Sequence, residues 1–424
     1  MKVLVVGSGG REHAVITKLK ENKEITEILC APGNGGISAL ARCVDVKATD
    51  VQGMVALAKK EAVDFCVVTP DDPLALGMVD AMEEAGIPSF GPDKKAAVIE
   101  ASKVFSKNLM KKYNIPTAKY EVFNDADTLF AYVKEQNSFP CVLKADGLAL
   151  GKGVLIAQNL EEASEAIQEL MVDKKFGESG NEVVVEEFME GPEVSVLSFT
   201  DGKTIVPMIS SMDHKRANDN DEGLNTGGMG TIAPSPFYTA EIAERCRKEI
   251  FEPTVEAMNK EGRPFKGVLY FGLMLTKQGP KVVEYNCRFG DPETQVVLPL
   301  LNTDLMTIFQ HVHDGTLDQV DITWKDACAA CVMEASGGYP EAYKKGCEIS
   351  GLDENGQHAG VTVFHSGTKK ENGKFYTNGG RVLGIEATAP TLKEALDTCY
   401  GAIKEITFED MHYRTDIGRK VLET

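Results

Sequence analysis

The sequence predicts a multidomain protein that begins with an α/β domain and continues as α+β. At roughly 100 to 200 residues per domain, its 424 residues suggest two to four domains. Short β-rich runs alternate with helical stretches in the first hundred residues, and strands predominate from residue 193 to about residue 310. Such alternation is typical of a doubly wound parallel sheet. We expect domains over residues 1–101, 102–322 and 323–424.

The N-terminal elements place three polar loops at one edge of the expected parallel sheet. Predicted strands cover residues 2–6, 25–31 and 65–69, and predicted helices start at about residue 11 or cover residues 53–61, 73–85 and 94–113. Ligands of such sheets bind beyond the carboxyl ends of the strands. The loops that follow these strands, at residues 7–11, 32–36 and 70–73, therefore form the first candidate site.

Residues 116–190 predict a second, compact α+β unit. Its order is strand, helix, strand at 140–145, glycine-rich loop, strand at 154–157, helix and strand at 182–188. The last hundred residues contain several short strands with glycine turns and a late helix around residues 392–405. A small mixed α/β domain is expected there.

Composition and charge exclude several classes of protein. Lys and Arg total 45 against 64 Asp and Glu, so the net charge of −19 rules out a generally basic nucleic-acid binder. No apolar run approaches the ~20 residues that span a bilayer, and the run from Val3 to Val6 is too short for a signal peptide. The ten Cys are scattered through apolar contexts, as in a reducing compartment. We therefore expect a cytoplasmic protein without nucleic-acid or membrane partners.

Cys328 and Cys331 have the C-x-x-C spacing of half a zinc site. The stretch around them predicts a strand, in which positions three apart face opposite sides, and no second ligand pair stands nearby in the sequence. Two structural cysteines are the favoured interpretation.

The glycine loop at residues 7–11 follows an apolar strand and opens a helix, so its N–H groups could hold a phosphate. It fails as a dinucleotide fingerprint, because Glu12 stands where close strand–helix packing requires Gly or Ala. Two interpretations remain: a monophosphate site, which we favour over a site for NAD, and a tight turn without a ligand.

Lys144 ends a buried strand, and the loop after it carries Lys152 between two glycines. Burying an unpaired ammonium is costly, so a bound anion would explain Lys144, and an internal carboxylate is the alternative. The strand at residues 182–188 ends in acids that could receive an adenine amino group and ribose hydroxyls. An amphipathic edge strand explains that stretch equally well.

A further polar stretch projects Glu284, Asn286 and Arg288 from one face of a strand, because strand side chains alternate with period two. A carboxylate and an amide oxygen suit Mg²⁺, which completes its coordination with phosphates and water, and a guanidinium suits an anion. The alternative is a solvated strand face with a Glu–Arg contact. We favour the metal-and-anion site, because residues 212–216 are also dense in charge.

A long polar loop occupies residues 217–230. Its glycine-rich end, from Thr226 to Gly230, predicts a nest of N–H groups for an anion. His214, just before the loop, could act as a general base, but no nucleophile stands at the spacing of a catalytic triad. A structural hydrogen bond is at least as good an interpretation of His214.

Long motifs across essentially the whole chain resemble a single family. They read, in order, GSGGREHA, APGNGG, GPDKKAAVIEASK, KADGLALGKGV, DHKRANDNDEGLNTGGMG, EYNCRFGDPETQ and TNGGRVLG. With these motifs the sequence closely resembles the phosphoribosylamine–glycine ligase family of ATP-grasp enzymes. The resemblance implies a central ATP-grasp fold with a mobile lid subdomain at about residues 117–190.

The resemblance also implies an activity. Members of this family use ATP to ligate glycine to 5-phosphoribosylamine through a glycyl phosphate, which gives glycinamide ribonucleotide, ADP and phosphate in de novo purine biosynthesis. Since many ATP-grasp proteins share one architecture, the fold alone does not identify the substrate. The alternatives are another carboxylate–amine ligase, a biotin-carboxylase-like enzyme and a nucleotide-binding regulatory module. We expect a monomer, with a dimer as the alternative.

By resemblance, site residues can be assigned to each ligand. The residues expected to bind ATP are Lys103, Lys144, Gly151 and Lys152 at the phosphates, Glu186 and the Phe188 backbone at adenine, and Glu193 at ribose. The residues that match the family's ligands for Mg²⁺ or Mn²⁺ are Glu284 and Asn286. The catalytic candidates around glycine and the acyl phosphate are Asp213, Lys215, Arg288 and Asp291.

Phosphoribosylamine is expected at the N-terminal loops, through Gly9, Gly10, Asn34 and Asp71. Asp71 departs from the family pattern, because its loop reads Thr-Pro-Asp where the family more often has Gly-Pro-Glu. The acidic side chain is therefore one methylene shorter here.

Overall fold

The computed structural model describes residues 1–148 and 153–423, and its N-terminal region is an α/β unit. The strands there are β1 (Lys2–Gly7), β2 (Glu27–Pro32), β3 (Arg42–Cys43), β4 (Phe65–Val68) and β5 (Ser89–Phe90). The helices are α1 (Gly10–Leu19), α2 (Val51–Lys60), α3 (Asp71–Ala75), α4 (Met78–Glu84) and α5 (Lys94–Ala101). All strand pairs are parallel in the order β3-β2-β1-β4-β5, which confirms the predicted doubly wound sheet. The loops after β1 and β4 open into one crevice, because the strand order reverses there.

Two predicted helices are each divided in two. The stretch at residues 73–85 breaks at Gly77, whose φ of +88° is a left-handed conformation that glycine adopts without strain. The stretch at residues 94–113 breaks at Ser102, which caps α6 (Lys103–Lys112) by accepting a 3.0 Å hydrogen bond from the N–H of Phe105. The prediction of continuous helices was wrong at both points. The second break places Lys103 in the first turn of α6.

The next unit contains a four-stranded antiparallel sheet, called the small sheet here. Its strands are β6 (Tyr120–Phe123), β7 (Cys141–Ala145), β8 (Val154–Ala157) and β9 (Val183–Glu187), and its helices are α7 (Ala126–Gln136) and α8 (Leu160–Ile167). The strand order is β6-β9-β7-β8, with both helices contributing to the hydrophobic core beside the sheet. Because β9 lies between β6 and β7, the interpretation of residues 182–188 as an edge strand was wrong.

The middle of the chain forms a second antiparallel sheet, the central sheet. The strands of this part are β10 (Glu193–Asp201), β11 (Ile205–Pro207), β12 (Met212–Asp213), β13 (Arg216–Asn218), β14 (Glu222–Asn225), β15 (Gly230–Ala233), β16 (Lys266–Thr276) and β17 (Gly279–Asn286). Its helices are α9 (Ala240–Cys246), α10 (Glu252–Lys260), α11 (Thr294–Val297) and α12 (Leu305–Asp314). The central sheet has the order β11-β10-β16-β17, and β13 pairs with β14 as a separate hairpin.

The last region supplies most of a third antiparallel sheet, the C-terminal sheet. The strands of this region are β18 (Cys328–Ala335), β19 (Glu348–Ile349), β20 (Thr362–His365), β21 (Thr368–Glu371), β22 (Lys374–Thr377) and β23 (Arg381–Ala389), and its helices are α13 (Leu392–Ile403) and α14 (Arg419–Leu422). A separate three-stranded sheet has the order β19-β22-β21. The C-terminal sheet has the order β12-β15-β18-β23-β20. Strands from both sides of residue 322 therefore share one sheet.

Cys328 and Cys331 lie on β18, where Cys331 is buried and Cys328 is half-buried. Within residues 1–148 and 153–423, no group of three or more His, Cys, Asp or Glu side chains could hold a metal ion.

The parallel sheet is covered on both faces. One face shares a core with central-sheet residues such as Phe271, and the other packs against α12, where the Phe90 and Phe309 rings stack with centroids 4.0 Å apart. Two covered faces explain why β1 reads as an uninterrupted apolar run. No helix in the described part of the chain is long and apolar enough to cross a membrane.

Candidate active site

Lys144 spans the cleft between the small sheet and the central sheet. Its Nζ lies 3.1 Å from Oε2 of Glu186 and donates to the carbonyl of Val283 at 3.2 Å. The internal carboxylate that was the alternative explanation of Lys144 is thus present, and it is Glu186. Lys103 approaches the same cleft from α6 and donates to the carbonyl of Gly147 at 2.8 Å. Gly151 and Lys152 lie outside the described residues.

Glu186 is bound by a second lysine, Lys107, which the sequence interpretation missed. The Nζ of Lys107 lies 3.1 Å from Oε1 of Glu186 and donates to Oγ1 of Thr117 at 2.7 Å. Lys107, Lys144 and Glu186 are all buried, at 2%, 6% and 3% exposure. Burial lowers the pKa of Lys107 to about 8, against the opposing effect of Glu186.

A β-bulge explains how β17 presents its polar side chains. Gly272 of β16 pairs with Glu284, but the next residue of β16, Leu273, pairs with Val282, so Val283 is left outside the ladder. Its carbonyl is the one that accepts from Lys144. Bulges of this kind re-aim side chains beside functional sites, and this one precedes Glu284 directly.

Asn286 has a fixed amide orientation. Its Nδ2 donates to Oε1 of Glu100 at 3.0 Å, and a carboxylate can only accept, so the amide oxygen points away from Glu100. That oxygen and the half-buried Glu284 carboxylate make two oxygen ligands on one strand face. Mg²⁺ usually takes one or two protein oxygens and completes its shell with phosphates and water, so these residues fit such an ion.

Arg288 is paired with Glu100 and not with Glu284, the neighbour that the sequence alternative implied. A guanidinium nitrogen of Arg288 lies 3.0 Å from Oε1 of Glu100. Burial alone would lower the pKa of Arg288, but Glu100 and then Asp71 raise it, so the group stays charged. Its Nε is buried and has no hydrogen-bond partner among the described residues. An orphaned buried donor of this kind is available to a ligand.

Asp71 lies close to the two arginines of the crevice. Burial alone would raise the pKa of Asp71, but Arg288 and Arg11 hold it below its usual value. Asp71 begins α3, which follows β4 after Thr69 and Pro70. The N-terminal sheet thus presents an ionised carboxylate towards the end of β17.

Lys215 lies between two carboxylates at the start of the long polar loop. Its Nζ is 2.6 Å from Oδ2 of Asp213 and 3.8 Å from Oε1 of Glu293. Burial alone would lower the pKa of Lys215, but Asp213 and other neighbours, including Glu293, raise it well above its usual value. Glu193, at the start of β10, is exposed and also within electrostatic reach of Lys215.

Asp291 is bound by residues from three regions. It accepts hydrogen bonds from the Gln295 side chain at 2.8 Å and from the N–H of Arg11 at 3.4 Å. The Arg381 guanidinium, on β23, lies 3.4 Å from its carboxylate and donates to its carbonyl at 2.8 Å. Against the effect of burial, Arg381 and Arg11 lower the pKa of Asp291. Arg381 thereby brings the C-terminal region into the site.

The glycine loop after β1 is occupied by a carboxylate of the protein itself. The N–H of Gly9 donates to Oε2 of Glu12 at 2.6 Å, and the Glu12 side chain is fully buried. A side chain at Gly10 would meet Gln295 Nε2 at 2.5 Å and Ser366 Oγ at 2.7 Å. The Gly9 N–H is thus used within the loop, as the tight-turn interpretation expects.

Asn34 ties the second N-terminal loop to its surroundings. Its amide donates to the carbonyls of Ser8 at 2.9 Å and His365 at 2.8 Å, and its oxygen accepts from the N–H of Ile37 at 3.0 Å. Most of its hydrogen-bonding capacity is used within the protein. Asn34 therefore holds the crevice in shape.

The N–H groups of the predicted anion nest are not available to an anion in this structure. The N–H groups of Thr226, Gly227, Gly228 and Met229 all donate inside the protein, to Lys215, Tyr339, Thr226 and His214 respectively. A glycine-rich sequence allows the backbone many conformations, but it does not show whether the amide groups already donate hydrogen bonds within the protein.

His214 is a structural residue. Its Nδ1 contacts the carbonyl of Gly230 at 3.0 Å, and its Nε2 accepts from the N–H of Gly418 at 3.1 Å. Burial lowers the pKa of His214, so the ring is neutral and both nitrogens are used. The hydrogen-bonding interpretation is the one that the structure supports.

Three domain families match this chain in sequence. Residues 1–100 match phosphoribosylglycinamide synthetase, N domain, residues 101–294 match phosphoribosylglycinamide synthetase, ATP-grasp (A) domain, and residues 329–420 match phosphoribosylglycinamide synthetase, C domain.

Named relatives are similar over their full length. The phosphoribosylamine–glycine ligase of Caldanaerobacter subterraneus subsp. tengcongensis is 46% identical over 418 residues, which cover 99% of each chain. The enzyme of the same name from Vibrio vulnificus is 46% identical over 425 residues, which cover 100% of this chain and 99% of its own.

Solved structures are similar over almost the whole chain. The crystal structure of phosphoribosylamine–glycine ligase from Thermotoga maritima gives a TM-score of 0.85 at 34% identity, covering 98% of this chain and 100% of the other. The biotin carboxylase domain of the Hydrogenobacter thermophilus 2-oxoglutarate carboxylase, in complex with MgADP, gives a TM-score of 0.73 at 18% identity, covering 97% of this chain and 91% of the other. The second likeness is one of fold alone.

Proposed function

The chain belongs to the phosphoribosylamine–glycine ligase family, and on that basis we propose how its residues carry out the reaction. The protein is an ATP-grasp ligase that uses ATP to join glycine to 5-phosphoribosylamine in purine biosynthesis. The observation that carries the residue assignment is the Glu100 carboxylate, which orients a metal-binding amide and an anion-binding guanidinium on the same strand face.

ATP binds in the cleft between the small sheet and the central sheet. Its phosphates contact Lys103 and Lys144, whose present partners are a carbonyl and a carboxylate that a phosphate would displace. Gly151 and Lys152 complete this phosphate site by family resemblance. Adenine lies against the Glu186 carboxylate and the backbone of Phe188, and Glu193 accepts from the ribose hydroxyls.

Glu284 and the oxygen of Asn286 hold a divalent cation, Mg²⁺ or Mn²⁺. Such an ion would neutralise negative charge on the phosphates of ATP. The two protein oxygens leave the rest of its coordination shell to phosphates and water, in keeping with the lack of a larger acidic cluster among the described residues.

Arg288 binds the carboxylate of glycine beside the γ-phosphate. A glycine oxygen attacks the phosphorus, the bond to the β-phosphate oxygen breaks, and ADP leaves while glycyl phosphate remains. Lys215 offsets the negative charge on the acyl phosphate, since its two carboxylate partners keep it protonated. Asp213 and Asp291 accept hydrogen bonds from the amino groups of the two substrates, glycine and phosphoribosylamine.

The amine of phosphoribosylamine then attacks the carbonyl carbon of glycyl phosphate. A C–N bond forms, the C–O bond to phosphate breaks, and the amine loses one proton. Gly9, Gly10, Asn34 and Asp71 surround the crevice that receives this substrate, and the ionised Asp71 accepts from its ribose hydroxyls. The protein contributes positioning, charge stabilisation and exclusion of water.

The test is ADP release from the purified protein with Mg-ATP, adding glycine and phosphoribosylamine singly and together. Release that requires both, with glycinamide ribonucleotide detected by mass, supports the proposal. Glu284→Ala should abolish turnover and weaken Mn²⁺ binding in the presence of ATP, and the exposed Glu256→Ala serves as control. Wild-type ligation by a folded Glu284→Ala protein would overturn the metal assignment.

We also propose a cytoplasmic monomer. All ten cysteines are free thiols, as expected in a reducing compartment. A dimer is the alternative, and light scattering coupled to size-exclusion chromatography distinguishes the two.

A further inference from the structure

We propose that Lys107 is a positioning residue for the nucleotide: it holds the Glu186 carboxylate in place when Lys144 turns from Glu186 to the phosphates of ATP. This inference rests on the proposed placement of adenine at Glu186 and of phosphate at Lys144. Lys107 is not among the residues proposed to contact ATP.

The geometry gives each oxygen of Glu186 its own lysine. Lys107 contacts Oε1 and Lys144 contacts Oε2, both at 3.1 Å. Lys107 has a second anchor in Thr117, whose hydroxyl in turn donates to the carbonyl of Val282 at 2.7 Å. Lys107 is therefore fixed between α6 and the central sheet, whereas the second contact of Lys144 is the weaker 3.2 Å bond to Val283.

Charge balance assigns the two lysines different roles. One buried carboxylate faces two buried ammonium groups, so one lysine can leave without stranding the carboxylate. If Lys144 moves to phosphate, Lys107 remains as the charged partner of the Glu186 carboxylate, which stays in place to accept from an amino group. Without Lys107, Glu186 would either retain Lys144 or be left as an unpaired buried charge, which is costly.

Lys107 has a defined electrostatic environment. Glu186 and Glu187 favour its charged form, Lys144 opposes it, and the Tyr120 ring lies 5.6 Å from its Nζ. With its pKa lowered to about 8, the free enzyme loses this charge as the pH rises through that value. The kcat/KM for ATP, which reports on groups of the free enzyme, should fall there.

The experiment compares Lys107→Met with Lys111→Met, an exposed lysine one turn further along α6. Lys107→Met should raise the KM for ATP and the Kd for ATP by about 10-fold or more, because the displaced Glu186 carboxylate would lose its proposed hydrogen bond from the adenine amino group, and hydrogen bonds to charged groups are worth about that much. The kcat at saturating ATP and the KM for glycine should stay within about twofold. The fall in kcat/KM near pH 8 should persist in Lys111→Met and disappear in Lys107→Met.

Glu186→Gln separates this inference from the proposed function. Unchanged ATP affinity in Glu186→Gln would overturn the adenine placement itself. Weakened ATP binding in Glu186→Gln together with wild-type binding in Lys107→Met would overturn only the role of Lys107. If Lys107→Met fails to fold, Thr117→Val decides, because it removes the hydroxyl that anchors the Lys107 ammonium. Wild-type ATP affinity in folded Thr117→Val would contradict the proposal.

Discussion

One oxygen of Glu100 lies 3.0 Å from a guanidinium nitrogen of Arg288 and 3.0 Å from the amide nitrogen of Asn286. Its other oxygen accepts from the N–H of Cys287 at 2.8 Å. One carboxylate at the end of α5 therefore orients three consecutive residues of the site.

Replacing Glu100 by Gln should lower kcat by about 10- to 100-fold, the usual effect of removing a partner that orients a metal ligand. The substituted amide presents an NH₂ group to at least one of three donors and removes the charge that pairs with Arg288. Steady-state kinetics with a thermal melt measure this, with the exposed Glu84→Gln as control. A wild-type kcat in folded Glu100→Gln would contradict the role of Glu100.

Replacing Arg381 by Met should lower kcat/KM by about 10-fold or more, because the site loses the hydrogen bonds that the charged guanidinium donates. Arg381 donates to the carbonyls of Gly227 at 3.0 Å and Asp291 at 2.8 Å, so its loss frees both segments. The exposed Arg419→Met is the matched control. Equal kinetics in the two variants would show that Asp291 does not depend on the C-terminal region.

Replacing Arg414 by Met should destabilise the fold by about 3–5 kcal/mol, the usual cost of removing one partner of a buried ion pair. Arg414 is 1% exposed and holds Asp416 through two bonds, at 2.8 and 2.9 Å, and Asp221 at 3.0 Å. Because Asp221 lies in the β13–β14 hairpin, the hairpin should also loosen. Urea denaturation measures the change, and Arg414→Lys should lose less than Arg414→Met.

Acid should destabilise the contact between His13 and His365. Both rings are buried, and burial lowers the pKa of His13 well below its usual value and that of His365 to about 4. In the unfolded chain, histidine rings bind protons at about pH 6.5. The free energy of unfolding that these neutral rings contribute is therefore fully present above that pH and is lost as the pH falls towards 4.

For His365 alone, the decrease in the free energy of unfolding should approach about 3 kcal/mol by pH 4. Differential scanning calorimetry between pH 7.5 and 4.5 measures it, and His365→Gln should show a shallower dependence on pH than the wild type. Parallel pH profiles of the two proteins would contradict the assignment.

The sequence predicted the parts of the molecule that short-range patterns determine. The alternation of strands and helices predicted the parallel sheet, because β1 and β4 are continuous apolar runs. Period two correctly placed Glu284, Asn286 and Arg288 together, since the bulge at Val283 precedes them. These residues are close in the chain, so their relation needs no tertiary information.

The partners of those residues were not predicted, because they come from remote segments. Glu100 is 186 positions from Asn286, and its only local signal is an acid on the buried face of α5. The roles of Lys107 and Arg381 likewise follow only from their contacts with Glu186 and Asp291, which are remote in the chain. The anion nest expected at residues 226–230 was wrong for a related reason, since three of its amides bond to Lys215, Tyr339 and His214, which lie outside the loop.

The C-terminal sheet sets an order of events during synthesis. β12 and β15 pair with each other and leave the ribosome before β18, the other partner of β15, which lies about 95 residues beyond it. At about 5–20 residues per second, the β15 edge waits roughly 5 to 20 seconds for that strand. The loop that carries Lys215 lies between β12 and β15, and its anchor Arg414 is made later still. The surroundings of Lys215 are therefore among the last parts of the molecule to form, and until β18 is made the β15 edge beside this loop stays unpaired.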